Sequence, residues 1–287
     1  MPKIAIITDS TAQFSNPSFP GKDQVRLIPF GIKIGDKTYP EGIGITVSEF
    51  PTNCSIADVP TVIIPTPNQI ADLFIGLLKN FNELLVLTNS LDLTSVYQNS
   101  LEAVELIQGK TMIQVINSQT ISTGLGLLVQ MAAELVSNGA TLADTERHIR
   151  QAIPHIYTLF CSPCLSYLAK NGMLEETQAA VGEILNLHPI FSLEEGKPSA
   201  LCKVRNFRHA QDYFQEFIEE YDELQHISLL KGVNTQGLDN RLFRQFVQEY
   251  FPDTPFSEHR LNPFLAGVFG PKSLGLIVVE KPYTLSG

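Results

Sequence analysis

The chain opens MPKIAIITDSTAQF, in which an apolar run over residues 4–8 stops abruptly at Asp9, Ser10 and Thr11. A short run of this kind, Ile- and Ala-rich and without polar alternation, reads as a strand buried on both faces, which is the signature of a parallel sheet covered by helices. Open α/β sheets bind ligands in the crevice beyond the carboxyl ends of their strands. The first strand therefore predicts both a fold class and the place where a site would lie, at Asp9, Ser10 and Thr11.

The pattern repeats along the first half. Strands are expected over residues 3–8, 26–34, 84–88 and 111–116, and helices over 47–50, 68–79, 94–107, 122–138 and 142–152. Alternation of strand and helix predicts a largely parallel sheet with right-handed crossovers. Pro67 and Asn68 punctuate one helix start, and Gly139 after Asn138 marks a helix stop. Around Pro154 the pattern changes. Residues 188–193 and 199–206 flank the turn Glu194-Glu195-Gly196-Lys197 as a hairpin, helices are expected over 208–220 and 237–250, and strands over 226–231, 256–260 and 273–280. A length of 287 residues is large for one core. The expected organisation is an N-terminal α/β domain, residues 1–153, and a C-terminal α+β domain, residues 154–287, without a low-complexity linker.

Charge and composition exclude several functions. A formal net charge of −10 argues against nucleic acid, whose affinity rests on Lys and Arg neutralising phosphates. No apolar stretch approaches the roughly 18 residues of a membrane span, and no basic segment precedes an apolar one at the start, so a cytoplasmic location is expected. The cysteines Cys54, Cys161, Cys164 and Cys202 do not form a disulfide framework. Cys161-Ser162-Pro163-Cys164 lies between strand-like and helix-like segments, a redox-dithiol context, but two sulfurs do not close a zinc site and buried Cys commonly acts as a small hydrophobe. No histidine spacing suits a metal, and no cofactor motif is complete.

Asp9, Ser10 and Thr11 admit three readings: a turn or helix cap, a ligand contact, or an aspartyl nucleophile lacking the second acid that phosphoryl transfer generally uses. Ser122-Thr123-Gly124-Leu125-Gly126 opens a helix but lacks the third glycine of a dinucleotide fingerprint, which favours close helix packing. A G-x-S-x-G elbow and a P-loop are both missing. Hydroxyls nevertheless gather at strand ends: Thr8, Ser10 and Thr11; Thr61 and Thr66; Thr88, Ser90, Thr94 and Ser95; Ser118, Thr120, Ser122 and Thr123. Converging on one sheet edge, they suit a carboxylate or phosphate head group with apolar walls for the remainder of the ligand; ordinary capping repeated at each strand end is the alternative.

An ordered set of segments spanning nearly the whole chain resembles the DegV family of bacterial lipid-binding proteins: IAIITDSTAQF, LIPFGIKIGDKTYPEGIGITVSEF, IPTPNQI, SLDLTSVYQNS, VINSQTISTGLGLLV, LSYLAKNGMLEETQAAVGEILNLHPIFSLEEGK, KVRNF and GPKSLG. The resemblance implies two domains with a long-chain fatty acid in an apolar tunnel between them, its carboxylate held by hydroxyls. The Ser of the family's S-G-T motif falls on Thr94, followed by Ser95 and Val96. The first residue of its T-S-Q-P motif falls on Val62, leaving Thr61 as the neighbouring hydroxyl. A family His falls on Val268, ahead of Gly270 and Pro271. The Arg of G-G-R-I becomes Met173, and a Lys-Pro pair becomes His188-Pro189, while Arg205 of K-V-R is kept. The expected ligand-binding set is Ser10, Thr61, Val62, Thr94, Ser95, Ser122, Thr123 and Val268. Each lost hydrogen bond to a charged group costs ~1.5 to 3 kcal/mol. The implied function is a non-enzymatic fatty-acid or lipid carrier with altered head-group recognition. Some family members present acyl chains to a fatty-acid kinase; the altered G-G-R-I segment counts against such a partner here. The alternatives are a hydrolase or phosphotransferase using Asp9, or a ligand-free interaction module.

Overall fold

The computed structural model describes residues 3–52, 55–107, 112–233, 235 and 240–281; Cys54 and the outermost residues of the strand expected from 111 and of the helix expected from 237 lie outside them. In chain order the first half carries β1 (Ile4–Asp9), β2 (Val25–Ile28), β3 (Gly31–Ile34), β4 (Lys37–Pro40), β5 (Thr61–Ile63), α1 (Pro67–Leu77), β6 (Glu83–Thr88), α2 (Val96–Leu106), β7 (Met112–Asn117), α3 (Ser122–Ser137) and α4 (Leu142–Ala152). The second carries β8 (Ile156–Cys161), α5 (Leu165–Lys170), α6 (Glu176–Ile184), β9 (His188–Glu194), β10 (Lys197–Val204), α7 (Phe207–Glu219), β11 (Leu224–Lys231), α8 (Asn240–Tyr250), β12 (Phe256–Arg260), α9 (Pro263–Phe269) and β13 (Leu274–Glu280). None of the described helices is long and apolar enough to cross a membrane.

Contacts divide the chain into two units: residues 1–31, 63–154 and 195–197, and residues 32–62, 155–194 and 198–287. The first is built on a parallel sheet in the order β2-β1-β6-β7. Ile4, Ala5, Ile6 and Ile7 are all essentially inaccessible, as a strand covered on both faces requires. Thr8 pairs with Leu27 on one side and Leu87 on the other, placing β1 in the middle of the sheet.

The second unit has a six-stranded sheet in the order β10-β9-β8-β13-β11-β12. Most of its neighbours are antiparallel, but β11 and β12 run parallel and are joined through α8. Along α7 the residues Phe207, Ala210, Phe214 and Ile218 are buried, a helical stripe that packs with Leu159, Ile227, Phe243 and Leu276 into one core.

The sequence places residues 32–62 ahead of one boundary at 154, whereas they cluster with the second unit. The strand expected over 26–34 is two strands. Pro29 has no N–H to donate, the chain leaves the parallel sheet after Ile28, and β3 joins a separate sheet in the order β4-β3-β5. The helix expected over 47–50 is a single 3-10 turn, Val47–Glu49. The short helices α6 and α9 are additions to the sequence reading.

Candidate functional site

In the first unit the chain moves from β1 to β2 on one side and later returns to β6 on the other, so the order of the sheet reverses between β1 and β6. Such a switch point opens a crevice beyond the strand ends. The side chains there are polar and mutually engaged. Asp9 is fully buried; one carboxylate oxygen accepts from the Thr11 N–H at 2.9 Å and the Thr11 hydroxyl at 2.6 Å, and the other from the Asn89 N–H at 2.6 Å and the Asn89 amide at 3.1 Å. Burial pushes the carboxyl above its ordinary range, and the four donors oppose that shift. With both oxygens saturated, Asp9 is a clasp between two strand ends and is not presented as a nucleophile.

Because the Asn89 amide nitrogen faces Asp9, its carbonyl oxygen accepts from the Thr94 hydroxyl at 2.9 Å. The single Thr94 proton is thereby committed, while the oxygen accepts at 3.5 Å from the Val96 N–H and retains one further lone pair. This hydroxyl also explains why α2 begins at Val96 rather than at 94: Thr94 and Ser95 form the approach to the helix. Ser95 is exposed and has no side-chain partner among the described residues. Ser10 joins β1 to the exit from β2, accepting from the Phe30 N–H at 2.9 Å and donating to the Ile28 carbonyl at 3.3 Å. Ser90 donates to the Gly196 carbonyl at 2.6 Å.

At the start of α3, Ser122 adopts φ +59 and donates to the Gln13 side chain at 2.7 Å, while its carbonyl accepts from the Gln13 N–H. A Cβ on Gly126 would stand 1.9 Å from the Gln13 carbonyl oxygen, so this glycine serves close helix packing, as the sequence favours. Thr123 and Thr8 are fully buried, and their hydroxyls have no partner among the described residues. Among the described residues of the unit, these are the buried hydroxyl donors left uncommitted.

The remaining expected residues lie in the second unit. Thr61 is exposed on β5, and Val62 next to it packs on α9, where a Cβ on Gly267 would stand 2.6 Å from a Val62 methyl. Val268 is buried, and the amide of Asn171 donates to the carbonyls of Gly267 and Val268 at 3.0 and 3.1 Å. Val62 thus packs against α9, the helix that carries the buried Val268. His188 is buried against Phe207, and burial together with nearby Lys272 lowers its pKa from the ordinary imidazole value. Burial and the neighbouring Cys202 push the Cys161 thiol far up, so it stays protonated and has no nucleophilic thiolate. Among the described residues no group of three or more His, Cys, Asp or Glu side chains could hold a metal ion.

The residue that sequence reasoning passed over is Asn89. Its signal was its position directly after the buried run 84–88, where an amide can face a carboxylate and a hydroxyl at once.

A parallel sheet with a polar switch point and a second unit on a mixed sheet define a two-unit α/β protein. The chain belongs to the DegV family: the family profile, described as "Uncharacterised protein, DegV family", matches residues 3–281. A DegV domain-containing protein of Caldanaerobacter subterraneus subsp. tengcongensis is 29% identical over 219 residues, covering 76% of this chain and 78% of that protein. Among solved structures, a fatty acid binding DegV family protein of Streptococcus agalactiae superposes with a TM-score of 0.83 at 21% identity, covering 98% of this chain and 100% of that one. The fatty acid kinase (Fak) B3 protein of Streptococcus pneumoniae, loaded with linoleic acid, gives a TM-score of 0.82 at 16% identity, covering 97% and 100%.

Proposed function

We propose that this protein binds a long-chain fatty acid or a related lipid and acts as a non-enzymatic carrier whose head-group recognition differs from that of its relatives. The observation that carries the reading is the whole-length structural likeness to a fatty acid binding DegV family protein, together with the polar switch point at Asp9, Asn89 and Thr94. The head group is assigned to Ser10, Thr94, Ser95, Ser122 and Thr123, and the ligand-binding set is completed by Thr61, Val62 and Val268. Burying an acyl chain stabilises the complex by ~0.8 kcal/mol per CH2, so binding survives the loss of polar contacts while selectivity relaxes.

Of the assigned hydroxyls, Ser10, Thr94 and Ser122 spend their protons within the protein while Ser95 and Thr123 keep theirs, which leaves fewer donors for a charged carboxylate than the residue types alone would offer. Thr94 donates to Asn89 and offers an acceptor, and Val62 and Val268 bring no polar atom. A protonated acid, an alcohol or an amide meets an acceptor better than an anion does. A fatty-acid kinase as partner is a further expectation, supported by the likeness to the Fak B3 protein and weakened by Met173 in place of arginine. The reading is tested by native mass spectrometry of the purified protein, followed by lipid extraction and uptake of a panel containing fatty acids and their neutral derivatives. Retention of a stoichiometric acyl ligand is the expected result; a protein that carries none and takes up none contradicts it.

A further inference from the structure

The first unit contains a second crevice, at the end of the parallel sheet opposite the switch point. Lys3 precedes β1, Asp23 and Gln24 precede β2, Arg26 lies on β2 and Phe81 precedes β6, so the amino ends of three adjacent strands meet there. These residues line a cavity of about 530 Å³, with Leu77 near the end of α1 and Val136 near the end of α3 as further walls. Its volume falls within the range of roughly 300–1,000 Å³ typical of small-molecule sites. None of these residues belongs to the set assigned to the lipid.

Arg26 is fixed but only partly spent. Its Nη1 donates to the Asp23 and Val25 carbonyls at 2.6 and 2.8 Å, and the guanidinium carbon lies over the Phe81 ring, 5.5 Å from its centroid. Nη1 thereby uses both of its hydrogens, while Nε and Nη2 have no partner among the described residues. That free edge is the planar fork that matches the two oxygens of a carboxylate. The Lys3 ammonium is also without a partner among the described residues; it is the backbone N–H of Lys3 that donates to the Asn82 side chain, at 2.8 Å.

Acceptors line the same crevice. Among the described residues no ion pair joins the Asp23 carboxylate to Lys3, to Arg26 or to any other cation. The Gln24 side-chain oxygen is buried and has no hydrogen-bond partner, although the Gln24 N–H donates to the Gly21 carbonyl at 2.9 Å. A buried acceptor of this kind is costly until a donor reaches it. The turn that carries Asp23 and Gln24 is set against α3 by Gly21, which adopts φ +74 and where a Cβ would stand 2.3 Å from the Ala133 carbonyl oxygen. Two cations, one carboxylate and one orphaned amide oxygen thus share a crevice without satisfying one another.

We infer that this crevice binds a small zwitterion of the amino-acid type, an apolar α-amino acid or a dipeptide built from such residues. The free edge of Arg26 and the Lys3 ammonium hold its carboxylate, Asp23 and the Gln24 oxygen take its ammonium group, and Leu77, Phe81 and Val136 receive its apolar side chain. A dianion would face the Asp23 carboxylate and a lone cation would face Lys3 and Arg26, so a ligand carrying both charges suits the set better than either. The free amino acid and the dipeptide share this chemistry, and two arms of one titration separate them. Isothermal titration of the whole protein at low salt uses leucine in one arm and leucyl-leucine in the other.

Saturable binding in at least one arm is expected, and blocking either end of the probe, by N-acetylation or by C-amidation, should weaken it about tenfold or more. Arg26→Gln should weaken it by a similar factor and Asp23→Asn about threefold or more, while Arg147→Gln, exposed on α4, leaves it unchanged. Asp23 is exposed, so its variant keeps the test open where Arg26→Gln disturbs the start of β2. Amide NMR shifts on adding the same probes to the wild type need no variant and are expected at Gln24, Arg26 and Phe81. Absence of binding in both arms, equal affinity for the blocked probes, equal binding by Asp23→Asn, or shifts confined to other residues overturns the assignment.

Discussion

Asn89 joins Asp9 to Thr94: its amide nitrogen donates to the Asp9 carboxylate at 3.1 Å and its carbonyl oxygen accepts from the Thr94 hydroxyl at 2.9 Å. Because an amide has one donating and one accepting end, the buried acid dictates the direction of the Thr94 hydroxyl from two residues away. A carboxylate that resembles a catalytic group in sequence thereby acts through the geometry of its neighbours.

Asp9→Asn tests the clasp. An asparagine places an amide donor where the aspartate accepts, leaving at least one buried N–H opposed by another donor. Such a group costs ~1–3 kcal/mol, and more where a charged partner is lost. Urea unfolding should show a loss of about 2–4 kcal/mol with the m-value unchanged. An unaltered midpoint would mean that the four contacts at Asp9 do not stabilise the strand ends.

The head-group assignment is tested by exchanging methyl and hydroxyl. Thr94→Val preserves shape and removes both the bond to Asn89 and the acceptor; ligand affinity should fall about tenfold with at most about 1–2 kcal/mol lost in stability. Val62→Thr introduces a hydroxyl beside Thr61 and should favour free fatty acids over their methyl esters by about tenfold relative to the wild type. Competition binding with an acid and its ester reads both changes, and an unchanged acid-to-ester ratio in Val62→Thr would remove Val62 from the head-group region.

Stability should depend on pH through His226. Its imidazole lies between β11 and β12, 2.8 Å from the Ser257 hydroxyl, and burial, aided by His259, lowers its pKa to about 4. Between its unfolded value of about 6.5 and about 4, the unfolded chain binds a proton that the folded one does not, so stability is complete above pH 6.5 and declines as the pH falls. The loss attributable to His226 reaches up to about 3 kcal/mol near pH 4. His259, also lowered by burial, acts in the same direction. Urea midpoints measured from pH 7.5 to 4.5 should fall more steeply for the wild type than for His226→Gln; parallel profiles would contradict the assignment.

Two glycines in helices separate packing from propensity. A Cβ at Gly126 meets the Gln13 carbonyl oxygen at 1.9 Å, whereas one at Gly76 meets nothing within 4 Å. Gly126→Ala should destabilise by about 1–3 kcal/mol and Gly76→Ala should stabilise by about 0.5–1 kcal/mol. Opposite shifts in thermal midpoint check the pair together, and a tolerated Gly126→Ala would contradict the close approach of α3 to the Gln13 loop.

The parallel sheet was legible because Ile4 to Ile7 and Leu84 to Leu87 lack any polar alternation, which only two-sided burial explains. The hairpin at Glu195 and Gly196 was legible from turn chemistry, and both residues adopt positive φ. What periodicity does not encode is which sheet a strand joins: Gly31 to Ile34 continues an apolar run, yet crosses to the β3–β5 sheet after Pro29. For the same reason residues 32–62 read as part of the first half while packing with the second unit. The strand-end hydroxyls were visible as residue types, but the direction of each proton depends on a neighbour distant in sequence, as Thr94 depends on Asn89 and Ser122 on Gln13.

The central claim, lipid carriage with altered head-group recognition, is tested most directly by native mass spectrometry of the purified wild-type protein with identification of the extracted ligand. The account predicts one acyl ligand per chain, exchangeable for both free fatty acids and neutral derivatives, with little preference for the charged head. Strict selection of the ionised acid would contradict the altered recognition, and a chain that neither carries nor takes up any acyl compound would contradict lipid binding itself.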